Sequence, residues 1–461
     1  MDSELRFSGV QLAPHTTARN AAVASGSFSA GSIVASIPSL STCLLPSEKG
    51  KRCDACHVLE NDQVKLRRCS GCASFWYCSE RCQGHAWRSH HKKLCKNFNA
   101  FAASTEYQAL TPHDQVDALL LSQLLANPSQ WQSNLAGDRM DNSTLQDPYA
   151  TFLDLLQGPR VGEWNIPLCL ARGATFEELS ALARELYSRF GNNNFVLHSH
   201  LNSYAHGVFP LASRLFNHCC VPNAACKYII RPGEPALMQV VALQDIHEGD
   251  EITIPYLDPA LPYQTRREAL RVNYDFECRC RLCIYQRDVE PVERPPEPGT
   301  DGSRRMEAAL RTFALGFDGE AVQIPKVPGL FEETPSQLRP VFHESYLPAL
   351  AELFSKMSHE GPFSDAIEAG LTLLALYVLV YPPNYPQTGM HALELSKTVW
   401  NLLCTATANL SKTQIEALEK QANLFLRIAT SILVTLGPEG DEGGPLEEIE
   451  ILSQVLNEKR P

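Results

Sequence analysis

The chain has 461 residues and a mass of 51.1 kDa, which argues against a single ordinary domain and points to two to four. It is 44% hydrophobic and 20% charged, the balance of a globular rather than a disordered chain. Its net charge of -12 argues against a general nucleic-acid binder, because phosphate affinity comes from clustered Lys and Arg; direct DNA binding is not expected.

The N-terminal MDSELRFSGVQLAP lacks both a basic region followed by an apolar one and an Arg-rich transit pattern. The expected location is therefore the nucleus and cytoplasm. No apolar run approaches the ~18–20 residues that span a bilayer, so no membrane partner is expected; the most apolar stretch, Leu371 to Tyr381, stops at Pro382-Pro383. In residues 18–38, ARNAAVASGSFSAGSIVASIP, Val23, Ile33 and Val34 read as strand residues and Gly31 as a turn.

The 16 cysteines fit metal ligation in a reducing compartment if their spacing agrees. It agrees twice. The first run is Cys53-x2-Cys56-x12-Cys69-x2-Cys72-x5-Cys78-x3-Cys82-x8-His91-x3-Cys95. Eight soft ligands suffice for two closed tetrahedral zinc sites, and so short a segment would take its folding free energy from the metal. From Lys49 to Lys96 there are 11 Lys and Arg against 4 Asp and Glu, a basic patch on an acidic chain.

This segment, with Phe75-Trp76-Tyr77-Cys78-Ser79 and Trp87…His91-Lys92-x2-Cys95, resembles a MYND zinc finger. The resemblance implies interleaved sites, with Cys53, Cys56, Cys78 and Cys82 on one zinc and Cys69, Cys72, His91 and Cys95 on the other. The spacing from Trp to His is one residue longer than the family's. His90 and His91 are adjacent candidates, and His91 is preferred because it keeps the H-K-x-x-C tail; His85 reads as an exposed helix residue. Such fingers generally take short proline-containing peptides, and such a peptide is the partner implied here.

Residues 113–190 read as helical, with apolar residues at helical spacing after Asp114 and a T-x-x-E capping box at Thr175. A polar stretch, Asn192-Asn193-Asn194, precedes Phe195. Farther on, Cys278-x-Cys280-x2-Cys283 supplies three ligands and needs a fourth. Spacing alone does not choose it among Cys219, Cys220 and Cys226.

Leu215-Phe216-Asn217-His218-Cys219-Cys220-x-Pro222-Asn223 resembles the N-H-S-C-x-P-N motif of SET-domain lysine methyltransferases. Asp250-Glu251-Ile252-Thr253-Ile254-Pro255-Tyr256 is similar to their G-E-E-L-x-x-x-Y strand and turn, and Tyr274-Asp275-Phe276-Glu277-Cys278 to their post-SET tail. With a MYND-like finger ahead of these motifs, the chain resembles the SET and MYND domain (SMYD) family. The resemblance implies an α+β fold, with a β-rich SET core split by the finger. Its parts would be a SET N-terminal part (1–48), the finger (49–97), a helical insert (98–190), the catalytic core (191–260) and a post-SET zinc segment (261–287). A linker (288–302) and a C-terminal TPR-like helical domain (303–461) would follow.

The implied activity is protein-lysine N-methylation by S-adenosylmethionine, on histones or other proteins, with three structural zincs. The alternative is a catalytically inactive adaptor that recruits partners for transcriptional regulation; a monomer is expected. Cys220 would complete the third zinc set with Cys278, Cys280 and Cys283. Tyr256 would be catalytic; Asn20, Asn193, Asn217, His218, Tyr256 and Phe276 would contact the cofactor. Phe195, Tyr256 and Tyr274 would line the lysine channel. The family's two cofactor-loop glycines correspond to Arg19 and Ala21, and its serine to Cys219. The chemistry needs a lysine amine made neutral in a desolvated channel and held at near-attack distance, which an aromatic channel favours.

Residues 288–302, DVEPVERPPEPGTDG, read as a linker. Amphipathic patterns follow at 304–315, 346–357, 364–380, 392–405, 412–436 and 446–456, of roughly tetratricopeptide pairing. From residue 288 to the end there are 13 Lys and Arg against 25 Asp and Glu, an acidity suited to attracting basic peptides.

Overall fold

The computed structural model describes residues 9–135, 147–158, 166–170, 176–317, 321–406 and 410–457. The fold is α+β. Strands β1 (Val10–Ala13), β2 (Ala21–Ala24), β3 (Ile33–Pro38) and β4 (Ser41–Leu44) precede the finger. The finger holds β5 (Arg67–Arg68), β6 (Trp76–Tyr77), α1 (Glu80–Ala86) and α2 (Lys92–Leu94). Helices α3 (Phe98–Ala102), α4 (Thr105–Gln108), α5 (Pro112–Leu124), α6 (Pro128–Leu135), α7 (Pro148–Asp154) and α8 (Phe176–Phe190) follow. The second half of the core contains β7 (Asn194–Ser199), β8 (Asn202–Val208), α9 (Pro210–Leu215), β9 (Asn217–His218), β10 (Ala224–Ile229), β11 (Leu237–Ala242) and β12 (Thr253–Ile254).

Strand pairing closes the core across the finger. β3 pairs antiparallel with β11, and β4 with β8, so strands before the finger are hydrogen-bonded to strands some two hundred residues later. On β3 the buried Ala35 and Ile37 alternate with the half-exposed Ser36 and Pro38, and with Val34 and Leu44 they pack on a core with Leu197, Tyr204, Phe209 and Met238. A second core joins finger and insert, where Trp131 is fully buried against Tyr149 and Phe152. The capping box at Thr175 lies outside the described residues.

After the core come α10 (Tyr263–Tyr274) and α11 (Arg281–Val289). The C-terminal stack follows, with α12 (Asp301–Leu315), α13 (Tyr346–Glu360), α14 (Phe363–Val380), α15 (Pro386–Ala406), α16 (Lys412–Leu436) and α17 (Pro445–Asn457). The segment read as a linker is shorter than 288–302, because α11 runs to Val289. At its far end the Thr300 hydroxyl accepts from the Ser303 N–H and starts α12 at Asp301. α15 begins earlier than its apolar pattern suggests, at Pro386, whose fixed φ suits a first helical turn.

The membrane expectation needs one correction. Helix α14 has 18 residues and a mean hydropathy of 1.7, enough to cross a membrane by length and composition alone. Its apolar surface is used within the stack. Ile367, Leu371, Leu374 and Leu379 are buried among the neighbouring helices, and any side chain at Gly370 would collide with Leu395 and Phe354.

Candidate functional site

The three ligand sets implied by the family resemblance are each brought together. Cys53, Cys56, Cys78 and Cys82 have their ligand atoms within 4.8 Å of one another, as do Cys69, Cys72, His91 and Cys95, and Cys220, Cys278, Cys280 and Cys283. Zn–S bonds of about 2.3 Å in a tetrahedron put sulfurs ~3.8 Å apart. The separations are 3.5 Å for Cys56–Cys78, 3.8 Å for Cys69–Cys95, 3.9 Å for Cys220–Cys278 and 3.5 Å for Cys220–Cys283. Each set is therefore the size of a tetrahedral zinc site with no open position.

Local geometry explains how the finger reaches this arrangement. In the Cys69–Cys72 knuckle a side chain at Gly71 would lie 2.8 Å from the Cys95 sulfur, so the residue must be small. The helix begun by the Ser79 cap passes through a π-helical turn at Trp87–His91. That turn absorbs the extra residue between Trp87 and His91 and points the His91 Nε2 at Cys69 (3.3 Å) and Cys72 (3.7 Å). The His90 ring instead faces the Ser89 hydroxyl at 3.0 Å, and His85 is exposed.

A cleft of about 910 Å³ lies against the third set, lined by loop 15–20, Asn193, Asn217, His218, Tyr256, Tyr274 and Phe276 among others. Its architecture follows from three short pairings. β9 runs parallel to β12, with Thr253 opposite Asn217 and Ile254 opposite His218. Asn223 clamps the same strand, donating to the Glu251 carbonyl at 2.9 Å and accepting from the Thr253 N–H at 2.9 Å. Ile252 N–H donates to Ala22 O at 2.7 Å, which brings the N-terminal loop alongside.

Asn217 joins these pieces: its side-chain amide donates to the Asn20 carbonyl and to Glu251 Oε1, both at 2.7 Å. Glu251 Oε2 lies 3.7 Å from His15, whose Nδ1 accepts from the Thr17 and Ala18 N–H groups at 3.1 and 2.8 Å. Arg19 reaches across the cleft to Asp154, which also accepts from Arg214 at 3.0 Å. Neither Arg19 nor Ala21 has a positive φ, so this loop needs no glycine; side-chain bonds hold it.

Aromatic residues form one wall. Tyr256 lies 5.0 Å from Tyr274 and 6.5 Å from Phe276, centroid to centroid, and His218 lies 5.3 Å from Tyr256. The turn at Asp275, a left-handed C-cap with φ 59°, ends α10 and turns the chain toward Phe276 and Cys278. The Tyr256 hydroxyl donates to the Phe216 carbonyl at 2.7 Å, and burial raises its pKa above the usual tyrosine value. Phe195 is not part of this wall; on β7 its ring meets Phe209 edge-on at 5.8 Å. The Cys219 sulfur accepts from the Val221 N–H at 3.3 Å, and the neighbouring Cys280 sulfur, together with burial, raises its thiol pKa.

Two contributors have no sequence signal. Arg266 is 1% exposed; its guanidinium donates to Pro259 O and Gln286, and the sulfurs of Cys220 and Cys283 lie beside it. Burial works against its charge, but those sulfurs keep it protonated, and four thiolates on one zinc carry the net negative charge that it balances. His15 is the other; nothing in its neighbourhood suggests a loop anchor.

The MYND finger family matches residues 53–95. The rat protein named N-lysine methyltransferase SMYD2 is 28% identical over 281 residues, 59% of this chain and 60% of its own. Histone-lysine N-methyltransferase ASHR1 of Arabidopsis thaliana is 28% identical over 241 residues, 50% of this chain and 46% of its own. A crystal structure of the SET domain of LSMT bound to lysine and AdoHcy aligns over 97% of this chain and 88% of its own, with 10% identity and a TM-score of 0.26. The chain thus spans 60% or less of the length of these two curated relatives. The chain thus contains a MYND finger at residues 53–95 and is similar, over about half of its length, to proteins named lysine methyltransferases.

Proposed function

We propose that the chain is an S-adenosylmethionine-dependent protein-lysine N-methyltransferase acting on histones or other proteins, in nucleus and cytoplasm. The observation that carries the reading is Tyr256, whose hydroxyl proton is committed to the Phe216 carbonyl at 2.7 Å inside an aromatic-walled cleft. With its proton so used, the phenol oxygen keeps lone pairs free to accept an N–H of an incoming amine and so to aim the nitrogen. Burial, which raises the phenol's pKa, keeps Tyr256 neutral in that role.

S-adenosylmethionine, when bound, would supply the electrophilic methyl group. Asn20, Asn193, Asn217, His218, Tyr256 and Phe276 would hold it, all of them lining the cleft. Tyr274 and Tyr256 would form the lysine channel, where exclusion of water lowers the amine pKa and aromatic faces tolerate a methylated cation. The zinc sets have no open position, so their role is structural; the third pins the segment that carries Phe276. In this reading the finger takes a proline-containing peptide, the acidic C-terminal half draws basic substrates toward the cleft, and the protein works as a monomer.

The test is calorimetric titration of the zinc-loaded protein with S-adenosylmethionine, followed by transfer of a labelled methyl group to lysine-containing protein. Saturable binding and label on lysine are expected. Absence of binding in fully zinc-loaded protein would overturn the proposal and leave the adaptor reading.

A further inference from the structure

His218 is engaged through both ring nitrogens. Nδ1 lies 2.9 Å from the backbone N–H of Tyr256. An amide can only donate, so Nδ1 carries no proton, and in a neutral ring the proton must then sit on Nε2. Nε2 lies 3.2 Å from the Cys220 sulfur, so the ring donates to one of the four sulfurs of the third set.

The backbone explains why the ring is needed. β9 and β12 pair only as far as Ile254 opposite His218, and the next residue, Pro255, has no N–H to continue the ladder. The Tyr256 amide therefore has no strand partner in register, and the imidazole takes its place. The same ring lies 5.3 Å from Tyr256 and 6.1 Å from Phe276, the latter on the segment leading into the metal-binding cysteines.

We infer that His218 is a positioning residue that couples the third metal site to Tyr256, so that the turn carrying Tyr256 is fixed only when the 278–283 segment is held by its metal. The inference rests on the methyltransferase reading for its effect on turnover, but not for its effect on the metal or on the Tyr256 amide. A ligand thiolate that loses a donated hydrogen bond holds its metal less well, typically by about 10–100-fold when such an outer partner is removed.

Three variants of the full-length zinc-loaded protein separate the two bonds. His218→Asn can place an amide oxygen near the Nδ1 position and keeps the acceptor; His218→Gln can place an amide N–H near Nε2 and keeps the donor; His218→Ala keeps neither. Three readouts apply: release of the third zinc to a chelator, the sulfur-to-cobalt absorption after cobalt exchange, and hydrogen exchange at the Tyr256 amide. Asn and Ala variants should release the third zinc about tenfold faster and shift the cobalt band. Gln and Ala variants should expose the Tyr256 amide to exchange and lower kcat more than they change KM. Removal of the third zinc from the unaltered protein should also speed exchange at that amide. Unchanged zinc release and an unshifted cobalt band in the Ala variant would overturn the sulfur contact. Exchange at Tyr256 that ignores both His218→Ala and zinc removal would overturn the coupling. If no protein transfers methyl groups but these responses occur, the catalytic reading fails while the coupling stands.

Discussion

Arg52 of the finger and Asp441 of the C-terminal half form a two-pronged ion pair, at 3.0 and 2.8 Å, across 389 residues of sequence. Both side chains are nearly buried, at 8% and 7% exposure. Arg52 also donates to the His57 carbonyl at 3.0 Å, and its guanidinium lies 4.6 Å over the Tyr204 ring of the core. Finger, core and C-terminal half thus meet at one side chain. Arg52→Met leaves Asp441 buried and unpaired, which should cost about 3–5 kcal/mol. Urea unfolding should show that loss, with faster amide exchange over residues 437–444. Adding Asp441→Asn should recover part of it; a double variant as weak as the single would contradict a paired-charge origin.

Arg266 sets the second expectation. Its buried guanidinium balances the third set of sulfurs, so Arg266→Met should weaken that metal site while leaving the two finger sites intact. Elemental analysis should give three zincs per chain for the unaltered protein and, after mild chelation, two for the variant. Three retained zincs in both would show that the charge is not needed.

Tyr256→Phe removes the hydroxyl but keeps the ring. Cofactor affinity should change little, and turnover should fall by about 100-fold or more, as when a single preorganised polar contact to the reacting centre is lost. Loss of the bond to Phe216 O should cost about 1 kcal/mol of stability, measurable by thermal unfolding. Unchanged kcat would remove Tyr256 from the chemistry.

The legible parts of this molecule are those whose chemistry is written in local spacing. Ten cysteines and a histidine recur at chelating intervals, and the structure brings them, with Cys220, together in the expected sets. Spacing left the fourth ligand of the last set open among three cysteines, because that choice depends on β9 lying beside β12, a contact between distant segments. The π-turn that lets His91 reach its set despite an extra residue is a backbone adjustment with no residue signature. Phe195 carries a motif resemblance, yet its place on β7 turns it onto Phe209, since strand alternation and not motif order decides which face a side chain takes. Arg266 looks like any basic residue on an amphipathic helix, and Arg52 like any finger cation; only the folded chain shows what each faces. The apolar length of α14 is hidden in the sequence because three exposed polar residues near its start, Ser364, Asp365 and Glu368, interrupt the run, while the residues from Gly370 to Leu376 are buried.

Glu439 gives the last prediction, a pH dependence of fixed sign. It is 3% exposed, and burial pushes its pKa up from 4.5 to about 7, against the His200 N–H that it accepts and the nearby Lys227, and helped by Asp441. His198 and His200 face the same carboxylate at 3.7 and 3.9 Å. An acid whose folded pKa is raised contributes stability that is fully present below its unfolded pKa and is lost as pH rises through the folded value. Between about pH 4.5 and 7 the unaltered protein should therefore lose stability relative to Glu439→Gln, by on the order of 3 kcal/mol. His198 acts in the opposite sense. Burial pushes its pKa down to about 4, so its contribution is lost as pH falls toward that value, in variant and parent alike. Urea midpoints of the two proteins measured from pH 5 to 8 should therefore diverge as pH rises, with the glutamine variant ahead above pH 7; parallel curves would mean that Glu439 stays ionised throughout.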